Sequence, residues 1–348
     1  MNIKDNLKDL LKKAITNLGV DEDIDIIVEI PKNKTHGDYA TNIAMVLSKK
    51  LKDNPMNIAE KLKNFLNDEL IETITIMPPG FINFNLNKDY LFKNINTILE
   101  EKNNYGKTNI GNNTKINIEY VSANPTGTLH VGHARGATYG DSLSRILSFL
   151  NYDVTREYYI NDAGNQMNNL GISIKVRYLN ICNIKAKLPE DGYHGQEIID
   201  IANKIYEQYG EQKQNEDVAF FKKYGLEILL KKIKQDLDTY RVNFDVWSSE
   251  QSIYDKGLVD ITINKLKNSG KCYIAENALW LKTTDFGDEK DRVLIKSDGT
   301  YTYLLPDIAY HSDKLERGYN LLIDVLGADH HGYIKRIHAG IDILGYDS

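Results

Sequence analysis

Apolar residues at Ile3, Leu7, Leu10, Leu11, Ile15 and Leu18 recur at the three-to-four spacing of a helix with one buried face. The β-rich run 25–30, closed by Pro31, predicts a strand, and helical patterns follow over 40–51 and 58–66. Two short apolar runs, 71–76 and 81–84, flank Met77-Pro78-Pro79-Gly80, which predicts a strand pair about a turn. Together these elements make a small α+β domain over residues 1–86. A helix over about 87–101 and the Asn- and Gly-rich stretch 102–114 are expected to connect it to a second domain, 115–348.

The second domain opens with a strand over 115–121, rich in Ile and Val, and reaches a helix near His130 through the loop 122–129. That helix carries Leu143, Ile146, Leu147 and Leu150 on one face, and a second strand is predicted over 152–160, at the distance of a parallel crossover. The expected fold class is therefore α/β, with a doubly wound, Rossmann-like parallel sheet. Residues 180–217 read as a mostly helical insertion and 220–240 as a long amphipathic helix. Further on, 292–297 and 300–305 flank Asp298-Gly299 and predict a hairpin with a two-residue turn at which both residues have positive φ. Pro306-Asp307 then begins a helix through Lys314, and 321–326 is a buried-type strand leading into Gly327-Ala328-Asp329-His330-His331-Gly332.

Composition excludes some classes. At 41% hydrophobic and 26% charged residues the 348-residue chain is ordinary globular material, neither disordered nor membrane-embedded. Forty-three basic against 49 acidic residues leave −6, so any nucleic-acid contact must rest on local basic patches. Cys182 and Cys272 lack a C-x-x-C partner, which argues against a disulfide framework or zinc knuckle and suits a reducing compartment. No signal-peptide pattern or apolar stretch of ~20 residues is present, so a cytoplasmic protein with no membrane partner is expected.

The sharpest chemical signal is His130-Val131-Gly132-His133. Two imidazoles three residues apart at a helix start project to one side, where free N–H groups and the positive dipole end attract phosphate. Gly127 and Gly132 would let phosphates approach the backbone. Surface histidines or a metal pair are the alternatives, but a preceding strand and the Pro125-Thr126-Gly127 loop favour nucleotide binding. Two other stretches are decoys. Gly106-Lys107-Thr108 lacks the earlier glycine of a phosphate loop, and Lys267-Asn268-Ser269-Gly270-Lys271 precedes the hairpin instead of following the last strand.

Ser122-Ala123-Asn124-Pro125-Thr126-Gly127-Thr128-Leu129-His130-Val131-Gly132-His133 resembles the first signature of class I aminoacyl-tRNA synthetases, within them the arginyl family, and Arg135 to Asp141 continues it. Tyr158 to Gln166, Ser297 to Tyr301, Pro306 to His311 and Gly327 to His331 are similar to further blocks of that family, in order along nearly the whole chain. The resemblance implies arginine–tRNA ligase activity. Arginine and ATP, with Mg2+ as counterion and no tightly bound protein metal, would form arginyl-adenylate, and the arginyl group would pass to the 3′ end of tRNA(Arg). The family generally needs tRNA for activation.

By the resemblance, His130 and His133 are the catalytic pair, and Thr126, Gly127, Gly132 and His330 join them in binding ATP. Ser122, Asn124, Glu250, Tyr303, Asp307 and Asp329 fall to arginine. Residues 1–86 resemble the family's extra domain that touches the tRNA outer corner. The family's Lys-x-Ser-Lys loop and helical anticodon-binding domain do not follow the His-His segment, so a fragment of low activity, and a monomer, is expected.

Several residues carry a plainer reading. A carboxylate at 307 can take a guanidinium bidentately, or Asp307 can simply cap the helix after Pro306. Tyr301 and Tyr303 can be packed strand aromatics, Glu119 an edge charge, and Asp329-His330-His331 a metal pair that lacks a third ligand. A nucleotidyltransferase with the same H-x-G-H motif and a non-catalytic tRNA-binding module are the competing functions.

Overall fold

Helical spacing puts Leu7, Leu11 and Ile15 on one side of α1 (Ile3–Asn17), where they meet Leu47 of α2 (Ile43–Leu51) and Leu62 of α3 (Pro55–Lys63) in one core. The computed structural model describes residues 3–22, 24–327 and 331–348, and the chain divides into two units, Met1–Lys107 and Thr108–Ser348. In the first, the helices share their core with an antiparallel sheet of order β1-β3-β2: β1 (Tyr39–Thr41), β2 (Ile71–Met77) and β3 (Phe81–Leu86). Helix α3 starts where Asn54 accepts the Met56 N–H and Pro55 takes the first helical position, which needs no donor. The helix α4 (Lys88–Glu101), capped by Asn87, belongs to this unit and buries no residue.

One element here differs from the sequence reading. Residues 25–30 alternate as a strand should, with Ile26 and Val28 buried and Ile27 and Ile30 exposed, yet only Glu29 pairs, with Ala40. Burying alternate side chains does not require a partner ladder, and β1 is only three residues long.

The second unit is built on a parallel sheet of order β10-β4-β5-β6, from β4 (Lys115–Glu119), β5 (Asp153–Ile160), β6 (Val246–Ser249) and β10 (Leu321–Asp324). Helix α5 (Val131–Phe149) makes the β4-to-β5 crossover, as expected. Helices α6 (Gly164–Ile181), α7 (Gln196–Tyr209) and α8 (Val218–Thr239) lie between β5 and β6 around Ile174, Tyr178, Ile201 and Phe221. Then come α9 (Glu250–Asp255), α10 (Leu258–Asn268), an antiparallel sheet of β7 (Cys272–Ala275), β8 (Ala278–Leu281) and β9 (Arg292–Ile295), and α11 (Leu304–Glu316). The last element is α12 (His331–Ile343).

Four expectations change. Helix α5 buries Ala137, Gly140, Asp141 and Ser144, while Ile146 is exposed; small side chains allow close approach, which apolar periodicity does not register. Within 180–217 only α7 and the last two residues of α6 are helical, so the insertion is mostly loop. The hairpin forms with a three-residue loop: Lys296 N–H donates to Thr300 C=O, and only Gly299 has positive φ, Asp298 instead holding Thr300 through its carboxylate. Its second arm ends at Tyr301, because Leu304 and Leu305 already belong to α11, where they are buried. Finally, β10 is an edge strand with Leu321 half exposed, not a buried one.

Candidate active site

Parallel pairing brings Asp324 and Glu119, at the carboxyl ends of β10 and β4, side by side with Glu157 within β5. Three adjacent acids would repel, and α11 answers them with His311, Lys314 and Arg317, spaced three residues apart on one face. Lys314 is fully buried and donates to Glu119 at 2.6 Å and Asp324 at 3.2 Å. His311 meets Asp324 at 2.7 Å, and Arg317 reaches both oxygens of Glu157 at 2.9 and 3.0 Å. Glu157 also accepts from Tyr310, Ser248 and Asn117. Burial alone would raise Asp324 and Glu157. Lys314 and His311 nevertheless hold Asp324 well below the usual carboxylate range, and Arg317, Ser248 and Lys314 lower Glu157.

Beside this network opens a cavity of about 400 Å³ lined by Tyr159, Asn161, Glu250, Tyr303, Asp307, Gly332, Tyr333 and Arg336. Its position, at the carboxyl ends of β5 and β6, is where open α/β sheets bind ligands. Glu250 is the first residue of α9, held there because Asp162 accepts from Ser249 Oγ and Gln251 N–H. Burial, then Asp307 and Asp162, push the Glu250 carboxyl up to about 7. Burial pushes Asp307 up to about 6, with the Tyr333 hydroxyl opposing it. Asp307 is not a helix cap: it is the fourth residue of α11, and its Oδ2 accepts from Tyr333 at 2.5 Å. That bond also engages one of the two oxygens that a bidentate guanidinium contact would use. Tyr303 precedes α11 and is 73% exposed, so it is no packed strand aromatic.

The loop after β4 is strained. Val121 has φ 68° and Ser122 φ 39°, and the Ser122 N–H donates to Tyr120 C=O across a γ-turn with a β-branched residue at positive φ. The turn sets Ser122 Oγ to donate to Glu119 and accept the Tyr159 N–H. Asn124 donates to Gln166, and neither Ser122 nor Asn124 lines the cavity. Thr126 and Gly127 lie in the same loop; a Cβ on Gly127 would come 3.2 Å from a Glu197 oxygen.

His130 caps α5 by accepting the Gly132 N–H on Nδ1, and His133 Nδ1 accepts the His130 N–H. The rings stack with centroids 3.8 Å apart. With Nδ1 used as an acceptor, each neutral ring carries its proton on Nε2, and the pair offers two Nε2–H donors. Burial and His130 lower the His133 pKa, which favours that neutral form. Gly132 has a local reason: a Cβ there would stand 2.9 Å from the His130 ring. Asp329 and His330 lie outside the described residues. The Lys267–Lys271 stretch closes α10, with Gly270 at φ 73°.

Of the residues singled out from sequence, the fold brings Glu250, Tyr303 and Asp307 to one cavity wall. Tyr159 and Asn161 were not among them, although their place at a predicted strand's carboxyl end is a usable signal. Tyr333, Arg336 and Lys314 gave none.

The sheet, the histidine pair at the helix start and the cavity beside the strand ends define a class I tRNA synthetase catalytic domain, and the family model "tRNA synthetases class I (R), catalytic domain" matches residues 94–348. "Arginyl tRNA synthetase N terminal domain" matches residues 3–86. The arginine–tRNA ligase of Bacillus subtilis is 51% identical over 360 residues, covering 100% of this chain and 65% of that protein. That of Geobacillus kaustophilus is 50% identical, covering 99% and 64%. The arginyl-tRNA synthetase structure from Thermus thermophilus shares the fold at a TM-score of 0.65 and 21% identity, over 99% of this chain and 63% of that one. The chain belongs to the arginyl-tRNA synthetase family. It spans about 65% of the length of these curated relatives.

Proposed function

We propose that the protein activates L-arginine with ATP and transfers the arginyl group to the 3′ end of tRNA(Arg). The observation that carries this reading is the pair of acids, buried Glu250 and half-buried Asp307, lining one cavity with no lysine or arginine ion pair to either among the described residues. A desolvated acid pair that no lysine or arginine ion pair engages is suited to a ligand that brings cationic donors, and arginine brings two, an ammonium and a guanidinium. Asp307 and Tyr303 take the guanidinium, and Glu250 is the second acid. Ser122, Asn124 and Asp329 help to seat arginine and its activated carboxylate.

His130 and His133 donate through Nε2–H to ATP phosphates as charge builds on the phosphoryl group, with Thr126, Gly127, Gly132 and His330 beside them. Mg2+ accompanies ATP as its counterion. Residues 1–86 contact the tRNA, through local basic patches and in a salt-dependent way. The reading includes a cytoplasmic monomer; no described helix is long and apolar enough to cross a membrane. The test is arginine binding by calorimetry to the 348-residue chain, with citrulline as the neutral control, and pyrophosphate exchange with and without tRNA. Arginine binding well above citrulline is expected, and equal affinity for the two would sink the reading.

A further inference from the structure

Asp307 stands on α11 with its Oδ2 2.5 Å from the hydroxyl of Tyr333, and both residues line the cavity. We propose that Tyr333 is a positioning residue for the guanidinium acid: its hydroxyl fixes the Asp307 carboxylate as an anion, with Oδ1 left for the ligand's cation. This rests on the reading of the cavity as an arginine site and adds the group that keeps that site charged.

The surroundings of Asp307 make such a donor necessary. Glu250 of α9, Glu119 of β4 and Asp324 of β10 all oppose its ionisation, as burial does. Tyr159 of β5 and Tyr254 of α9 face it as neutral phenols at ordinary pH. On its own helix, His311 hydrogen-bonds Asp324 at 2.7 Å and the Asp307 carbonyl, and its charge lowers Asp307 without a hydrogen bond to that carboxylate. Arg336 lines the same cavity without an ion pair to Asp307 among the described residues, its guanidinium 5.6 Å from the Tyr333 ring. The Tyr333 hydroxyl is thus the one side-chain donor placed on that carboxylate among the described residues. A donor to the ionised form stabilises it, and the Asp307 carboxyl stays near 6 despite burial.

The experiment compares arginine affinity of the 348-residue chain and its Tyr333→Phe variant from pH 6 to pH 8.5. Without the hydroxyl, Asp307 takes up a proton at higher pH, so the variant should bind arginine at least about fivefold more weakly than the parent at pH 6. The gap should close to within about twofold at pH 8.5, where Asp307 is ionised in both. Because Asp307 also shifts Glu250, the same ratio is read in a Glu250→Gln background, where only Asp307 of the pair titrates. Citrulline affinity should show no such divergence. A ratio that is constant with pH, whatever its size, overturns the inference while leaving the arginine site standing. Failure of the parent to bind arginine overturns the site, and the role of Tyr333 with it. Should the variant not fold, the assigned Tyr333 ring-carbon resonance of the labelled parent decides: it should move with the same midpoint as the Asp307 carboxyl, and an unmoved resonance would refute the coupling.

Discussion

Asp324, Glu119 and Glu157 are met by cations from α11, whereas Glu250 and Asp307, at the cavity beside them, have no lysine or arginine partner among the described residues. The chemistry of the side chains is the same and burial opposes ionisation in both places. The paired acids Asp324 and Glu157 are pulled down by their partners, and the cavity acids are pushed up, to about 7 and about 6. The difference separates acids held in ion pairs, which tie strands to a helix, from acids on a cavity wall, the arrangement on which the proposed arginine site rests.

The contrast makes opposite statements about pH. A carboxyl lowered by folding contributes stability that is present above its ordinary value and is lost as pH falls through the folded value, so Asp324 and Glu157 stabilise less as pH drops below the ordinary carboxylate range. A carboxyl raised by folding binds its proton more tightly when folded, and stability falls as pH rises from the ordinary to the raised value. For Glu250 that window runs from 4.5 to about 7, and for Asp307 from 3.8 to about 6.

The hardest blow to the comparison comes at Lys314. Replacing it by Met leaves the half-buried Glu119 and Asp324 without their shared cation, and a loss of about 3 kcal/mol is expected in chemical denaturation. A loss under 1 kcal/mol would mean that the network is not what holds these acids.

Glu250→Gln should act in the other direction. It removes an uncompensated charge, so the variant is expected to be more stable than the parent at pH 8 by on the order of 2 kcal/mol and nearly equal to it at pH 4.5. Denaturation curves at the two pH values check it, and an unchanged slope would return Glu250 to the compensated class.

Asp307→Asn should leave the fold intact and lower arginine affinity by at least about tenfold, with citrulline nearly unaffected. Calorimetry on both ligands measures this. Preserved discrimination would move the guanidinium contact to Glu250.

The smallest effect concerns donors in place of acids. His130→Ala removes the cap on α5 and should cost about 1 kcal/mol, whereas His130→Asn, which can still accept the Gly132 N–H, should cost much less. If thermal melts show equal losses for both, the ring stack with His133, and not the cap, is what His130 contributes.

Much of this was legible in the sequence because it depends on neighbours along the chain. The α1 stripe, the strand-loop-helix around His130 and the turn at residues 77–80 follow from local spacing and turn chemistry, and the structure has them. The resemblance assigned Glu250, Tyr303 and Asp307 to one ligand, and all three line one cavity. Expectations failed where distant segments decide. Residues 25–30 had strand periodicity without a full partner, and α5 buries its small residues deepest, with Leu143 and Leu147 only half-buried against the same core and Ile146 exposed.

By itself, then, the sequence determined the family, the parallel α/β architecture and the residues at the helix start, since each is written in short-range pattern. Tertiary structure alone decided which acids are satisfied. Glu119 and Lys314 are 195 residues apart, and Glu157 and Arg317 160; no local pattern pairs them. Tyr333 likewise reaches Asp307 only because α12 returns beside α11. Compensation of charge depends on distance in space and on burial, and neither is a property of a residue's neighbours in the chain.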